Sequence, residues 1–258
     1  MENIREMQAL EAIRSEMEDI EGHLGFYYKN LATGMEFGVR EDEIYSAASV
    51  IKLPLFLHIL KESAQGHMDM DEVLTVTDED KVPICGALTL FTGPVQADVR
   101  TLCRLMISIS DNTATNKLIR HCGMETLRES FEGMGLSVTR LRRELFDSAA
   151  SRRGIQNTIS PEEMGMLLKQ VHEGAFGEEA KEVLELQQIN HKLDGKLCGR
   201  ADILHKTGED DELSNDVGIV YAKEPFILCF AGENTDVYRW EDFIRRSTCA
   251  LWEALENE

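Results

Sequence analysis

From Val50 to Leu60 the chain places Val50, Ile51, Leu53, Leu55, Phe56, Leu57, Ile59 and Leu60 with few polar interruptions, a run that reads as a helix buried on nearly all sides. Lys52 is out of place in it. Ser49 and Lys52 stand one turn apart on one helix face. An ammonium held among apolar neighbours either loses its proton or needs nearby partners, because the desolvated charge is costly. Either outcome suits a base beside a nucleophile.

The rest of the composition removes several function classes. With 258 residues, 43% of them hydrophobic, the chain can bury a sizeable core. Its 27 basic and 47 acidic side chains leave a net charge of −20, which repels a phosphate backbone or an anionic membrane surface, so no nucleic acid or membrane partner is expected. No stretch reaches the roughly 18 to 20 apolar residues of a membrane span, and residues 1–22 are charged and lack an apolar signal core. The chain as it stands is therefore expected to be cytoplasmic, or secreted or periplasmic if a leader has been removed. Cys85, Cys103, Cys122, Cys198, Cys229 and Cys249 show no C-x-x-C spacing, which argues against a zinc site and for buried free thiols.

Along the chain, Met7, Leu10, Ile13, Met17 and Ile20 predict a docking helix over residues 5–20. The β-prone runs 23–28 and 35–39, around turn residues 30–34, predict a hairpin. Residues 73–76 read as a short strand, after which Pro83, Gly86, Gly93 and Pro94 punctuate a loop-rich stretch. Helical spacing marks 99–109, 113–122, 125–134 and 161–173, the last opened by the cap sequence Ser160-Pro161-Glu162-Glu163. Residues 140–160 read as a long, mostly irregular loop. A helix over 183–189, three strands at 203–207, 217–221 and 226–231, and a helix over 240–255 complete the order. The fold class is α+β: an antiparallel sheet formed by both chain ends with flanking helices, plus a helical lobe. One catalytic domain over 1–258 is expected, with a sheet part at 1–52 and 190–258 and a helical part at 53–189. A monomer is expected.

An S-x-x-K motif such as Ser49–Lys52 arises by chance on the order of once in a chain this long. Ser110-Asp111-Asn112 and Lys206-Thr207-Gly208 are each expected well below about 0.1 times, and the three follow in that order. Taken singly, Ser49 reads as a helix cap, Ser110-Asp111-Asn112 as a turn and Lys206 as an ordinary strand lysine. Taken together, the motifs resemble those of class A serine β-lactamases and penicillin-binding proteins. The segment from Ser110 to Asn116 is similar to that family's, Val138-Thr139-Arg140-Leu141 resembles its approach to the omega loop, and Thr158-Ile159-Ser160-Pro161 resembles its exit.

The resemblance implies a role for each residue. Ser49 is the acyl-accepting nucleophile at a helix N-terminus and Lys52 its base. Ser110 passes a proton to the leaving nitrogen, Asn112 holds a substrate amide, and Lys206 with Thr207 receives a substrate carboxylate. The backbone N–H groups of Ser49 and Glu209 form the oxyanion hole, and Gly208 leaves room for substrate to approach. Glu144 is the candidate for activating the deacylating water, given one deletion before it, with Asp147 as rival and Asn116 as its brace. Leu145 and Ser148 stand where the family's proline and asparagine are expected. Asn157 stands where the family's loop-closing aspartate is expected, leaving Arg143 a neutral partner and a looser loop.

The implied function is hydrolysis of the β-lactam amide through an acyl-serine intermediate, with a small-molecule β-lactam as partner and no metal or organic cofactor. The alternatives are a penicillin-binding or esterase-like acyl transferase that deacylates slowly, and a non-hydrolytic module sensing β-lactams or peptidoglycan.

Overall fold

The structure is a computed structural model and describes residues 4–256. Helix α1 (Ile4–Met17) leads into strands β1 (His23–Asn30) and β2 (Glu36–Val39), the antiparallel hairpin expected from the turn residues between them. Strand β3 (Tyr45–Ser46) and one 3-10 turn (Ala48–Ile51) run into helix α2 (Lys52–Ala64). Then come β4 (Val73–Val76), β5 (Val95–Asp98), α3 (Val99–Ser108), α4 (Asn112–Cys122) and α5 (Met124–Gly133). The short α6 (Ser148–Arg152) and β6 (Thr158–Ile159) precede α7 (Pro161–His172) and α8 (Glu178–Glu185). Strands β7 (Ile203–Asp210), β8 (Leu213–Val220) and β9 (Phe226–Glu233) are followed by α9 (Val237–Glu256).

The main sheet has the order β2-β1-β9-β8-β7, antiparallel throughout, so strands from both chain ends share it. Alternation along the strands sends Phe26, Tyr28, Phe226, Leu228 and Phe230 to one face, where they meet Leu10 and Ile13 of α1 and Trp240 and Phe243 of α9. Arg246 of α9 grips both carboxylate oxygens of Glu16 of α1, at 2.9 and 2.6 Å. The other face carries Tyr27, Ile227, Cys229 and Ala231 into a core with α2 and α7. Residues 52–60 of α2 are all buried, as their composition requires.

Several elements differ from expectation for identifiable reasons. Helix α8 starts at Glu178 and stops at Glu185, earlier than the expected 183–189. Gln187 draws the following chain out of the helix, donating to Ile107 O at 3.1 Å and accepting from Gln188 N and Ile189 N. The two-residue pair β3–β6 and the β4–β5 ribbon are too short, or too poorly patterned, to announce themselves, and only tertiary pairing defines them. Within 140–160 the chain is irregular apart from α6 and β6. All six cysteines are free, but only Cys103 and Cys229 are buried; Cys122 and Cys249 are intermediate, and Cys85 and Cys198 are exposed. Among the described residues no helix is long and apolar enough to cross a membrane.

Helix α7 begins as its sequence dictates, with Ser160 Oγ accepting from Glu163 N at 3.3 Å and Pro161 in the first turn. The carboxylate of Glu163, a residue only 8% exposed, binds the segment leading into the 140–160 loop, accepting from Val138 N at 2.8 Å and Thr139 N at 2.7 Å. Burial pushes its carboxyl upward, but hydrogen bonds from Thr139, Val138 and Ser137 outweigh that, so it sits below its ordinary value of 4.5. A depressed carboxylate contributes stability that is complete above the unfolded value and is lost as pH falls through the folded one. Glu163→Gln is therefore expected to lower unfolding free energy by about 2 kcal/mol at neutral pH. In urea melts the gap from wild type should narrow below about pH 4, and a gap that does not change with pH would refute this account.

Candidate active site

The start of α2 and the 3-10 turn before it place Ser49 and Lys52 where the edge strand β7 meets the helices. Ala48, at φ +42°, turns the chain sharply before Ser49, and Ser110, at φ +56°, does the same at the end of α3. Such left-handed non-glycine residues cost about 1–3 kcal/mol each and are retained where surrounding contacts enforce them. Here those contacts converge on one amine.

Lys52 Nζ lies 2.9 Å from Ser49 Oγ, 2.9 Å from both Ser110 O and Ser110 Oγ, and 2.7 Å from Asn112 Oδ1, with the side chain fully buried. Ser110 Oγ is in turn 3.2 Å from Lys206 Nζ, which also donates to Thr207 O at 3.0 Å. Ser49, Lys52, Ser110 and Lys206 thus form one continuous hydrogen-bonded chain. Burial, and then repulsion from Lys206, hold the Lys52 amine well below the ordinary lysine range. Burial and repulsion from Lys192 lower Lys206 to about 7. Both amines are thus pushed toward the neutral form, each by burial and by repulsion from a neighbouring lysine.

Asp111 and Asn112 hold the opposite wall. Asn112 Nδ2 donates to Ile84 O at 2.8 Å. Asp111 caps α4 by accepting from Ala114 N at 2.9 Å and, with its other oxygen, accepts from Ala87 N at 2.8 Å and Leu88 N at 3.0 Å. Gly86, at φ +110°, passes so close to Asp111 that a Cβ there would lie 2.2 Å from its carboxyl carbon. Sequence reading singled out Ser110 and Asn112 and missed this anchoring role of Asp111, for which the punctuation by Pro83 and Gly86 was the available signal. Gly208 serves packing in a way not anticipated: a Cβ would meet Ala47 O at 2.9 Å and Ser49 N at 3.1 Å, so the missing side chain lets β7 lie against the Ser49 backbone itself.

The loop over residues 140–160 departs from expectation. The Glu144 carboxylate turns to Arg120, at 3.0 Å from Nε and 2.6 Å from Nη2, and lines a pocket with Asp80 and Lys81 that adjoins the Ser49 cleft. Leu145, Phe146 and Asp147 line both pockets, and Glu144 is absent from the lining of the Ser49 cleft. Asn116 sets this register by holding both backbone groups of Leu145, accepting from its N–H at 2.8 Å and donating to its carbonyl at 2.9 Å. Asp147 lies at the cleft but uses one oxygen to cap α6, accepting from Ala150 N at 2.9 Å.

The loop is not left untied by the missing ion pair. Asn157 Oδ1 accepts from Arg142 N and Arg143 N, at 2.8 and 3.1 Å, while the Arg143 guanidinium donates to Gln156 Oε1 at 2.6 Å and Ile155 O at 3.0 Å. The neutral partner of the Arg143 side chain is thus Gln156. Elsewhere, His191, Glu209 and Glu241 bring metal-ligating atoms within 4.8 Å of one another. The buried Lys192 already donates to Glu209 Oε1 there, at 2.7 Å, and competes for the charge a cation would need.

Residues 7–255 match the Beta-lactamase enzyme family. The chain is 28% identical to a beta-lactamase of Rhodobacter capsulatus over 85% of this chain and 78% of that protein. An ancestral class A beta-lactamase superposes with a TM-score of 0.86 at 24% identity, over 95% of this chain and 99% of the other, a likeness of fold. A point mutant of PBP-A, solved as an acyl-enzyme complex with penicillin G, superposes with a TM-score of 0.88 at 25% identity, over 98% and 97% of the two chains. With its motifs assembled around one buried lysine and a family match along nearly its whole length, this chain belongs to the beta-lactamase enzyme family and is a serine hydrolase of class A-like fold.

Proposed function

We propose that the chain opens β-lactam amides by acylating Ser49 and releases the product slowly. The observation that carries this reading is the position of Lys52 Nζ, 2.9 Å from Ser49 Oγ and held by Ser110 and Asn112 in a fully buried site. A neutral amine there takes the Ser49 proton as Oγ attacks the lactam carbonyl. The developing oxyanion is met by the N–H groups of Ser49 and Glu209. The proton passes from Lys52 through Ser110 Oγ to the departing nitrogen, along contacts of 2.9 and 3.2 Å that also reach Lys206. Asn112 orients the substrate amide, and Lys206 with Thr207 receives its carboxylate. These groups all come from one chain, so a monomer suffices.

Slow deacylation is supported by two contacts: the Glu144 carboxylate is paired with Arg120, and Asp147 commits one oxygen to capping α6. Arg120 holds Glu144 outside the cleft, and Leu145 fills the position that Asn116 braces.

Intact-mass measurement with benzylpenicillin is expected to give a stoichiometric adduct on wild type and none on Ser49→Ala; an adduct on Ser49→Ala would sink the assignment. Leu145→Glu, which presents a carboxylate to the cleft, is expected to shorten the adduct lifetime by about 100-fold. An unchanged lifetime would mean that something other than the missing base limits release. The pH profile of acylation tests the part played by Lys206. Lys206 loses its proton as pH rises through about 7, so substrate carboxylate binding weakens on the alkaline side. In Lys206→Arg the guanidinium stays charged and that limb should move up by at least about two pH units. The same limb in both proteins would assign it to another group.

A further inference from the structure

The segment that delivers Ser49 to the cleft is held by its backbone. Ala48 sits at φ +42°, and in Ser46 and Ala47 before it every backbone N–H and C=O has a partner. Ser46 O accepts from Asn215 Nδ2 at 2.9 Å, Ala47 N donates to Asn157 O at 2.9 Å, and Ala47 O accepts from Val50 N at 3.0 Å. Asn215 is fully buried and fixed in turn, since its Oδ1 accepts from Gly232 N at 3.1 Å. These partners are neutral. The fourth is a charge: Ser46 N donates to Glu233 Oε2 at 3.0 Å. Glu233 lines the same cleft as Ser46, Ala48 and Ser49.

Glu233 ends β9 directly opposite His23 of β1. Its Oε1 lies 3.0 Å from His23 Nδ1, and His23 Nε2 lies 2.7 Å from Glu43 Oε2. A neutral imidazole has one N–H and serves only one of these carboxylates; the imidazolium donates to both. Burial works against that charge, but the hydrogen bonds to Glu233 and Glu43 outweigh it and hold His23 above its ordinary value of 6.5. The His23 ring also stacks on Tyr45, with centroids 4.2 Å apart. Tyr45 lies over Gly25, where a Cβ would meet its ring at 2.6 Å, and Arg40 and Asp42, from the chain entering β3, act on its phenol. Tyr45 immediately precedes Ser46, so His23 reaches the delivering segment both through this ring and through Glu233.

Resting on the acyl-Ser49 reading, we propose that Glu233 is a positioning residue for Ser49: its carboxylate fixes Ser46 N–H ahead of the nucleophile, and protonated His23 fixes the carboxylate. Both act through the Ser46 backbone rather than on the reacting atoms. Loss of the His23 proton removes the cation from Oε1 and leaves the carboxylate held by Ser46 N–H alone, so the hold on Ser49 slackens. Because the folded value of His23 is raised, this contribution is complete below its ordinary value of 6.5 and is lost as pH rises through the folded one. Acylation by the wild type therefore exceeds that of an uncharged replacement on the acid side only.

Stopped-flow acylation by benzylpenicillin, from about pH 5.5 to about pH 9, separates non-covalent binding from the acylation step. Taking the ratio of wild type to variant at each pH cancels the titrations of Lys52 and Lys206, which both proteins share. For His23→Gln the ratio of acylation constants is expected to be about threefold at pH ~6 and to fall to unity by pH ~9. Glu233→Gln keeps an acceptor for Ser46 N–H but no charge for His23, and should give the same curve. Glu233→Ala removes the acceptor as well and should lower the acylation constant about tenfold at every pH. In Glu43→Gln the carboxylate at Glu233 remains, and the fall should move to lower pH because one of the groups that raise His23 is gone. A His23→Gln ratio that does not change with pH would overturn the proposal, as would losses confined to non-covalent binding, and either would leave the acyl-Ser49 reading intact. No adduct on the wild type would remove that reading and the inference with it. Should Glu233→Ala fold poorly, agreement between the His23→Gln and Glu233→Gln curves supports the assignment, and disagreement between them refutes it.

Discussion

Everything at this site follows from keeping the Lys52 amine out of water. A buried ammonium without compensation would cost far more than a domain's spare stability, so the fold must either neutralise it or surround it with acceptors. It does both. Ser110 O and Asn112 Oδ1 accept from Nζ, and Lys206, sharing Ser110 Oγ as a neighbour, disfavours a second positive charge. The left-handed backbone at Ala48 and Ser110 is the local cost of aiming these groups at one point. Desolvation of Lys52, which weakens the fold, is also what pushes the amine toward its neutral form.

That constraint extends outward. Placing Asn112 and Ser110 against Lys52 requires α3 to end and α4 to begin within three residues, and Asp111 makes this possible by capping α4 while gripping the loop at Ala87 and Leu88. Placing Lys206 requires β7 to lie against the turn before α2, which only a residue without a side chain at Gly208 permits. The sheet supplies the rigid edge, and its pairing of strands from both chain ends fixes that edge relative to α2.

What the sequence made legible divides along physical lines. Long periodic runs such as α2, α7 and α9 were readable because burial imposes their spacing, and the strands of the main sheet were readable because each is β-prone. The two-residue strands β3 and β6 were not, since their existence depends on pairing with each other. Ser49, Lys52, Ser110, Asn112 and Lys206 could be read as a set because tight packing around a small site fixes residue types. Glu144 could not be placed. Its position depends on the register of an irregular loop, which Asn116 sets through the backbone of Leu145, a contact indifferent to side-chain identity.

That indifference separates the loop from the rest of the site. The groups gathered on Lys52 stand on the turn into α2, on the link between α3 and α4 and on β7, where a change in any one would leave buried polar partners unsatisfied. The hydrolytic carboxylate would stand on a loop held by its backbone, and there a one-residue offset costs little. The displaced Glu144 finds Arg120, which also binds Asp80 at 2.9 Å, and the pairing stabilises the offset register. Returning Glu144 to the cleft would leave Arg120 with one partner fewer and would move Leu145 out of its bracket on Asn116. The loop is therefore held in its register by contacts that lie away from Ser49 and Lys52.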